Sequence, residues 1–348
     1  MDRAAQFSGT KEVDSKLSLD HGPIEKYLKN LLGNDTSLLD IKQFKGGQSN
    51  PTYLLQTNVR NFVLRRKPPG KLLPSAHAVD REYRVISALA ETNVPVPETY
   101  GLCDDSDVVG TPFFVMDFLE GEVYWDHMLP SASNEERIKI YQQKNKVLAN
   151  LHSVDYAAVG LESYGKPGNY VARQVSRWTT QYLASETESI PEMDKLIEWL
   201  PKNIPDDDET SIVHGDFRLD NMIYKNHEVI GVLDWELSTL GHPIADFSYH
   251  CLTWRTLPAM QDLKLLKELG IPSEVEYRDM YSENTGKDLS ENWEFYMVFN
   301  IFKVAAICQG ILGRVRDGTA SNKHAEARGM QVFPLSAGAW SIVEANFK

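Results

Sequence analysis

The chain has 348 residues, of which 42% are hydrophobic and 24% charged, as is ordinary for a soluble globular protein with sizeable cores. Its 36 basic and 49 acidic residues give a net charge of −13, which argues against a general binder of nucleic acids or anionic membranes. Three scattered cysteines predict neither a disulfide framework nor a zinc site. We therefore expect an intracellular, reducing compartment, the cytoplasm by default, with an organelle left open.

Two segments bear on targeting. Residues 1–20 are polar and contain no apolar run, so we expect a flexible lead and no signal peptide. The stretch 298–312 is the most apolar one late in the chain, but it contains Asn300, Lys303 and Gln309 and is too short to span a bilayer. We expect a buried helix there and no membrane insertion.

The N-terminal part of the chain predicts a β-rich lobe with one inserted helix. A first helix is expected at 23–32, where apolar residues recur at helical spacing, and the inserted helix is expected at 80–91. The predicted strands, which would form one five-stranded sheet, are 39–44, 52–56, 61–66, 98–103 and 112–118.

The remainder, 119–348, predicts long helices interrupted by short central strands. The predicted helices are 137–153, 173–183, 192–200 and 296–312. Two β-branched runs, 211–214 and 229–233, are expected to be strands, with Asn226 and His227 forming a hairpin turn between them. The predicted fold class is α+β, with a β-rich N lobe and a larger α-helical C lobe.

Polar residues follow both central strands at a spacing that is typical of kinases. Asp216 and Asn221 lie five positions apart, and Asp234 comes thirteen positions after Asn221. A kinase needs a carboxylate that orients the attacking hydroxyl and two oxygen ligands that hold Mg²⁺ against the phosphates of ATP. The pattern therefore predicts a catalytic Asp216, with Asn221 and Asp234 as metal ligands. A lone His-Gly-Asp would more often be an ordinary turn, but the further residues and the two strands favour the kinase interpretation.

A second group of candidates lies in the β-rich lobe. Glycine-rich loops let backbone N–H groups approach phosphate oxygens, although a two-glycine hairpin turn is the default interpretation. The candidate loop residues are Gly46, Gly47, Ser49 and Asn50. Arg65, at the end of the third strand, is the candidate cation for the α- and β-phosphates, with Glu82 on the following helix as its partner. The alternative is a solvated basic strand end and a surface carboxylate.

Two residues of the catalytic loop have roles that the sequence leaves open. Arg218 comes two residues after Asp216, where a cation could neutralise charge on the transferring γ-phosphoryl group. It could equally be a surface side chain paired with Asp220. We expect His214 to be a packed, hydrogen-bonded core histidine rather than a base.

Together these residues resemble the aminoglycoside-phosphotransferase and choline-kinase superfamily, whose fold is bilobal and protein-kinase-like, over roughly residues 23–315. The resemblance implies ATP and Mg²⁺ as cofactors, Asp216 as catalytic base or orienting group, and Asn221 and Asp234 as the magnesium ligands. It also implies that Met116, Asp117 and Phe118 form a hinge whose backbone bonds the adenine. Residues 21–118 would then be the nucleotide-binding lobe, and 119–348 the catalytic and acceptor-binding lobe.

A narrower resemblance concerns the acceptor. Residues 64–74, 80–83, 215–221 and 234–239 look like the kinase domain that is fused to certain acyl-CoA dehydrogenases. That likeness implies a small-molecule hydroxyl acceptor, a 4-hydroxyacyl-CoA or similar compound, and no nucleic-acid partner; the oligomeric state is not predicted. An aminoglycoside-type antibiotic kinase and a nucleotide-binding pseudokinase or scaffold stay as alternatives. A protein kinase is disfavoured, because eleven residues between Asp234 and Asp246 leave no room for an activation segment.

Overall fold

The computed structural model describes residues 6–46, 49–70, 77–320 and 324–347. Internal contacts divide the chain into two compact units. The first unit comprises Met1–Tyr164, His214–Ser238 and Lys264–Pro272, and the second comprises Gly165–Val213, Thr239–Leu263 and Ser273–Lys348. The predicted boundary near residue 118 falls inside the first unit and stays a prediction.

The described residues form strands and helices in an alternating order. The strands are β1 Thr10–Lys11, β2 Leu38–Phe44, β3 Thr52–Thr57, β4 Asn61–Arg66, β5 Thr99–Cys103, β6 Phe113–Asp117, β7 Ser211–Val213, β8 Met222–Lys225, β9 Glu228–Val232 and β10 Thr239–Gly241. The α-helices are α1 His21–Leu32, α2 Val79–Leu89, α3 Ser106–Val109, α4 Asn134–His152, α5 Tyr170–Ser185, α6 Pro191–Trp199, α7 Pro243–Cys251, α8 Thr253–Thr256, α9 Pro258–Gln261, α10 Leu263–Leu269, α11 Glu274–Thr285, α12 Trp293–Arg316, α13 Ala325–Gly329 and α14 Val332–Asn346. The 3₁₀ turns are Ser15–Leu17, Leu200–Lys202, Leu219–Asn221 and Trp235–Leu237.

In the described part of the first unit, six antiparallel strands form one sheet in the order β1-β2-β3-β4-β6-β5. Strands have a side-chain period of two, so alternate residues share one face. The alternate apolar residues of β3, β4 and β6 are buried together with side chains of α1. This core includes Ile24, Leu28, Tyr53, Leu55, Phe62, Leu64, Phe113 and Val115. Arg65 lies on the opposite face of β4 from Phe62 and Leu64, which places it toward the candidate site.

Among the described strands, β1, β8 and β10 were not predicted from the sequence, and β1 lies in the segment expected to be a flexible lead. Thr10 pairs with Phe44 at the sheet edge. The 3₁₀ turn that follows is capped by Asp14, whose carboxylate accepts from the amide of Lys16 at 3.0 Å. Hydrogen bonds to the sheet therefore fix residues of this segment, and a two-residue strand is too short to show periodicity in the sequence.

The central hairpin is built differently from the prediction. Asn226 and His227 do form a two-residue turn, and both have positive φ values, 53° and 64°. However, β9 pairs with β8 across this turn, whereas β7 pairs with β10. A two-residue turn of this kind requires both strands to end directly beside it. That requirement excludes 211–214, which ends twelve residues before the turn (226 − 214), as the partner of β9.

The second unit is centred on α12. This helix has 24 residues, longer than predicted, and it is the one described helix that is long and apolar enough to cross a membrane. The prediction that it is too short was therefore wrong. The expectation of a buried helix agrees with its packing, because 67% of its most apolar window is buried inside the structure.

Candidate active site

The catalytic loop begins at Gly215, where the backbone conformation and the neighbouring atoms leave room for glycine only. Gly215 has φ +80°, and a Cβ there would lie 2.8 Å from the carbonyl oxygen of Leu237. The preceding His214 is fully buried; its Nε2 bonds the carbonyl of Leu233 at 3.0 Å, and its Nδ1 accepts from the amide of Asp216 at 3.2 Å. These partners fix the neutral tautomer with hydrogen on Nε2. The prediction of a packed core histidine is confirmed.

Asn221 and Asp216 are brought together by the 3₁₀ turn Leu219–Asn221. The Asn221 Nδ2 donates to the backbone oxygen of Asp216 at 2.9 Å and to its Oδ2 at 3.2 Å. The backbone oxygen of Asn221 accepts from the amide of Leu233 at 2.8 Å, which links this turn to the end of β9. Oδ1 of Asn221 accepts no hydrogen bond from the residues that the structure describes, so its lone pairs are available to a ligand.

The environment of Asp216 disfavours its charged form. Burial raises the pKa of Asp216 to about 6, and the nearby carboxylates of Asp234 and Asp220 act in the same direction. The Arg218 guanidinium and the hydrogen bond from Asn221 oppose that rise. A carboxyl with a pKa of about 6 is mostly ionised at neutral pH, yet it is a much stronger base than a solvated aspartate.

Arg218 is half-exposed and bridges two carboxylates. Its Nε lies 3.1 Å from Asp216 Oδ1, and its Nη2 lies 3.3 Å from Asp220 Oδ2. The pairing with Asp220 that the sequence offered as one alternative is therefore present. A contact of Arg218 with a phosphate stays a prediction.

Arg65 joins the β-rich sheet to the metal-ligand candidates. Its Nε forms an ion pair with Glu82 Oε2 at 2.8 Å, and its Nη2 donates to Asp234 Oδ1 at 2.8 Å. Nη1 donates to the Thr52 hydroxyl at 3.2 Å. The predicted pairing of Arg65 with Glu82 is present, and both side chains are buried rather than solvated. Burial raises the pKa of Glu82, while the charge of Arg65 acts in the opposite direction.

Asp234 adopts a backbone conformation that is unusual for an aspartate. Its φ and ψ of 64° and 61° lie in the left-handed region, at the start of the 3₁₀ turn Trp235–Leu237. Such a conformation costs on the order of 1–2 kcal/mol and is found mostly where surrounding structure enforces it. Among the described residues, Asp234 Oδ1 is engaged by Arg65, whereas Oδ2 has no hydrogen-bond partner and the side chain is 34% exposed.

This donor set suits Mg²⁺. The Asn221 Oδ1 and the Asp234 carboxylate are hard oxygen ligands, which Mg²⁺ prefers. The described residues contain no group of three or more His, Cys, Asp or Glu side chains that could hold a metal. Mg²⁺ is commonly held by one or two protein oxygens, with phosphate oxygens and water completing its coordination.

The glycine-rich loop is described in part. Gly47 lies outside the described residues, and Gly46 is close to the backbone of Phe7. Burial raises the pKa of the nearby Glu236, and the hydroxyl of Ser49 acts in the opposite direction. Asn50 is fully buried; its Nδ2 donates to Glu82 Oε1 at 2.8 Å. Asn50 therefore holds the partner of Arg65, a role that differs from the phosphate contact predicted for it.

The predicted hinge residues have different surroundings. Met116 is buried in β6, where it pairs with Val63 of β4. The Asp117 amide donates to the carbonyl of Glu98 at 2.8 Å. Phe118 stacks against Phe44, with ring centroids 6.3 Å apart. Phe44 ends β2, so Phe118 lies beside the strand that leads into the glycine-rich loop.

Sequence reasoning missed three residues of this cluster, namely Thr52, His77 and Glu236. Thr52 lies directly opposite Arg65 in the pairing of β3 with β4. The short connection between these two strands could have indicated that the two residues are neighbours. Glu236 lies two residues after Asp234, inside the segment 234–239, and the sequence assigned it no role. His77, whose Nδ1 lies 3.2 Å from Asn50 Oδ1, gave no recognisable signal.

Comparison with known proteins identifies relatives over most of the chain. Acyl-CoA dehydrogenase family member 10 from Mus musculus is 46% identical over 341 residues, 96% of this chain and 32% of that protein. Acyl-CoA dehydrogenase family member 11 from Rattus norvegicus is 42% identical over 339 residues, 94% of this chain and 44% of that protein. The chain thus spans less than half the length of these relatives.

Solved structures agree with the sequence relatives. A candidate aminoglycoside phosphotransferase from Ralstonia eutropha is 46% identical, with a TM-score of 0.87, and the match covers 94% of this chain and 99% of that one. A thermostable variant of the aminoglycoside phosphotransferase APH(4)-Ia, in complex with ADP and hygromycin B, has a TM-score of 0.57 at 16% identity, over 93% of this chain and 99% of that one. The second likeness shows the fold alone. The predicted α+β, protein-kinase-like fold class is confirmed.

The family model described as the phosphotransferase enzyme family matches residues 40–280. This match includes the glycine-rich loop, Arg65, Glu82 and the whole segment from Asp216 to Asp234. The chain therefore belongs to the phosphotransferase enzyme family.

Proposed function

We propose that this protein transfers the γ-phosphate of ATP to a hydroxyl group of a small molecule, in a reaction that depends on Mg²⁺. One observation carries the proposal: Arg65, Asp234, Asn221 and Asp216 belong to one connected cluster within the first unit. The membership in a phosphotransferase family supports the same reaction. Residues 21–118 would supply the nucleotide-binding lobe.

Asp216 is proposed to orient the acceptor hydroxyl and to accept its hydrogen bond. Its pKa of about 6 leaves most molecules ionised at neutral pH, so the carboxylate can accept from the hydroxyl and take its proton as transfer proceeds. Asn221 limits the orientations of this carboxylate through its bond to Oδ2. Arg218, which is half-exposed beside Asp216, is proposed to turn toward the γ-phosphoryl group and to reduce its charge repulsion.

Asn221 Oδ1 and the Asp234 carboxylate are proposed to hold the metal, which when bound neutralises charge on the phosphates. The cluster suits cationic ligands, because its five carboxylates (Glu82, Asp216, Asp220, Asp234 and Glu236) outnumber its two guanidinium groups (Arg65 and Arg218) among the described residues. Arg65 is proposed to contact the α- and β-phosphates while Glu82 fixes its position.

The base of the nucleotide is proposed to lie beside Phe118. The partly buried rings of Phe118 and Phe44 stack near the start of the glycine-rich loop, which covers the phosphates in kinases. Flat aromatic rings of this kind favour stacking with a purine. Backbone groups of residues 116–118 would supply the hydrogen bonds that select adenine.

For the acceptor we propose a hydroxylated acyl-CoA, such as a 4-hydroxyacyl-CoA. Support comes from relatives that are named as acyl-CoA dehydrogenase family members and are 42–46% identical across this chain. The name of the Ralstonia eutropha structure favours an aminoglycoside as the second candidate. Cys103, Cys251 and Cys308 are buried and form no disulfide among the described residues, which supports an intracellular, reducing location.

The proposal is tested with purified protein, MgATP and two acceptors, a 4-hydroxyacyl-CoA and kanamycin. Mass spectrometry is expected to detect one added phosphoryl group on the acyl-CoA and none on kanamycin, and no product with Asp216→Asn. Phosphorylated kanamycin alone would overturn the acyl-CoA assignment and keep the kinase assignment. Nucleotide binding without phosphate transfer to any hydroxylated compound or to water would identify a pseudokinase instead.

A further inference from the structure

A short segment at the N-terminal end runs along the entrance to the glycine-rich loop. Thr10 pairs with Phe44 at the end of β2. Past this pair, the amide of Lys45 donates to the carbonyl of Gly9 at 3.0 Å. A Cβ placed on Gly46 would lie 3.4 Å from the carbonyl oxygen of Phe7. The backbone of residues 7–10 thus follows the chain up to the first glycine of the loop.

The same segment is attached to the polypeptide that follows the hinge. The indole Nε1 of Trp125 donates to the hydroxyl of Ser8 at 2.9 Å. The Phe7 ring stacks on the Trp125 ring, with centroids 5.5 Å apart and an angle of 30° between the planes. Trp125 lies seven positions after Phe118 (125 − 118). Residues 7–11, which we name the N-terminal clasp, therefore connect the start of the loop with the chain beyond the hinge.

The residues after the clasp hold it to the sheet. The amide of Asp14 donates to Gln43 Oε1 at 3.1 Å. The carbonyl of Leu17 accepts from the Tyr53 hydroxyl at 2.8 Å and from Arg66 Nη2 at 3.0 Å. The clasp is therefore attached to Trp125 at one point and to the sheet at others. These attachments can restrict the movement of residues 44–46, beside which the clasp runs.

We propose that the N-terminal clasp positions the glycine-rich loop for nucleotide binding, with Ser8 and Trp125 as positioning residues. The inference rests on the proposed function, because it requires a nucleotide under this loop. Glycine-rich backbone has large conformational freedom, and ordering it on binding reduces affinity. A clasp that fixes residues 44–46 beforehand lowers this cost, so its loss weakens nucleotide binding and leaves the chemistry at Asp216 in place.

The test is a double-mutant cycle on one hydrogen bond. Ser8→Ala removes the acceptor, and Trp125→Phe removes the donor while keeping an aromatic ring for Phe7. Calorimetry would measure the Kd for MgADP, and steady-state kinetics the KM for MgATP and kcat. Each single variant is expected to raise Kd and KM about fivefold with kcat within about twofold, since one hydrogen bond contributes about 1 kcal/mol. The double variant is expected to bind MgADP no more weakly than either single variant, because both substitutions remove the same hydrogen bond.

Two further variants separate positioning from general stability. Phe7→Ala removes the ring stack and is expected to raise Kd for MgADP about tenfold, with the Tm lowered by only a few degrees. Trp340→Phe removes a similar indole bond, from Trp340 Nε1 to Glu344 Oε1 at 2.8 Å in α14, and is expected to leave Kd unchanged.

Three results would overturn the inference. The first is a Kd for MgADP that stays at the wild-type value in Ser8→Ala, Trp125→Phe and Phe7→Ala. The second is a loss of kcat with unchanged KM. The third is a wild-type protein that binds no nucleotide, which would overturn the proposed function as well. Because MgADP binding needs no acceptor or turnover, the first result leaves the proposed function standing.

Discussion

Two charge clusters of this molecule use the same residue types in different ways. In the second unit, Arg255 donates to both oxygens of Glu274 and, at 2.9 Å, to Glu294. Glu274 also accepts from the indole of Trp293 at 2.8 Å. In the first unit, Arg65 bonds one oxygen of Glu82 and one of Asp234. Both clusters join elements that are distant in sequence, and the Arg65–Glu82 pair is the more buried, with side chains 9% and 1% exposed against 31% and 13% for Arg255 and Glu274.

The two clusters differ in how much unpaired negative charge a ligand could reach. The Arg255 cluster is a bidentate pair with two helical partners, a geometry that stabilises the packing of the helices. The Arg65 cluster leaves Asp234 Oδ2 unpaired among the described residues. Burial raises the pKa of Asp216, and the charge of Asp234 acts in the same direction. The Arg255 cluster also leaves one carboxylate oxygen, Glu294 Oε2, without a hydrogen-bond partner in the part of the chain that the structure describes, but that oxygen is buried. What marks the candidate active site is an unpaired carboxylate oxygen on a partly exposed side chain, Asp234, near a carboxyl group whose pKa is raised.

The largest expected effect is on kcat, and it distinguishes the Arg65 cluster from the Arg255 cluster. Asp216→Asn removes the carboxylate that orients the hydroxyl, and we expect kcat to fall about 10²- to 10⁴-fold. Glu274→Gln, the matched acid-to-amide change in the Arg255 cluster, is expected to change kcat less than about twofold, since Glu274 contacts structural partners only. Initial-rate kinetics with MgATP and the accepted hydroxyl compound would measure both. Equal losses in the two variants would contradict the assignment of catalysis to the first cluster.

The next effect concerns stability. Arg65→Met leaves Glu82, which is 1% exposed, and Asp234 without their cation, so we expect a loss of about 3–5 kcal/mol in the free energy of unfolding. Arg255→Met is expected to cost about 1–2 kcal/mol, because its side chain is 31% exposed and water screens the acids left behind. Urea denaturation would give both values. A larger loss for Arg255→Met would reverse the comparison.

Asp216 is expected to destabilise the folded chain at neutral pH. Its pKa is raised from an unfolded value near 3.8 to about 6, so the folded state binds more protons between these values. The contribution of this group to stability is therefore present below about pH 4 and is lost as the pH rises to about 6. We expect Asp216→Asn to be up to about 2–3 kcal/mol more stable than wild type at pH 7, and equally stable at pH 4. Denaturation curves at the two pH values test this, and a destabilised variant at pH 7 would contradict it.

A smaller effect is expected from Gly215→Ala. Alanine at φ +80° is strained, and its Cβ would meet the Leu237 carbonyl at 2.8 Å. We expect a loss of about 2 kcal/mol in stability together with reduced kcat, since the amide of Asp216 would shift away from His214. Gly286→Ala is the matched control, because Gly286 has φ +72° and open space around it. A steric role for Gly215 would be excluded if both variants lost the same stability and neither lost activity.

Whether a feature could be predicted from the sequence depends on how far apart along the chain the interacting residues lie. The spacing of Asp216, Asn221 and Asp234 indicated the site because a short loop and a hairpin keep these residues close. Alternation along β4 places Arg65 and Arg66 on opposite faces of the sheet, which agrees with the partners that the two side chains have. Local patterns of this kind are visible in a single chain.

Features that depend on contacts between distant segments could not be predicted. The strand β1 is two residues long and is defined only by its pairing with β2. The sequence predicted a phosphate contact for Asn50. It did not predict the buried hydrogen bond from Asn50 to Glu82, which lies 32 positions away. Pairing of β7 with β10, rather than with β9, likewise depends on the course of the whole chain between them.

The central claim is that this cluster transfers phosphate from ATP to a hydroxyl. The most direct test incubates wild type and Asp216→Asn with Mg²⁺, ATP labelled in its γ-phosphate and a 4-hydroxyacyl-CoA, and follows the label into the acyl-CoA product. We predict labelled product with wild type and, with Asp216→Asn, a rate lower by at least about 10²-fold. Equal labelling by the two proteins, or MgATP binding by wild type with no transfer to any hydroxylated compound, would contradict the claim.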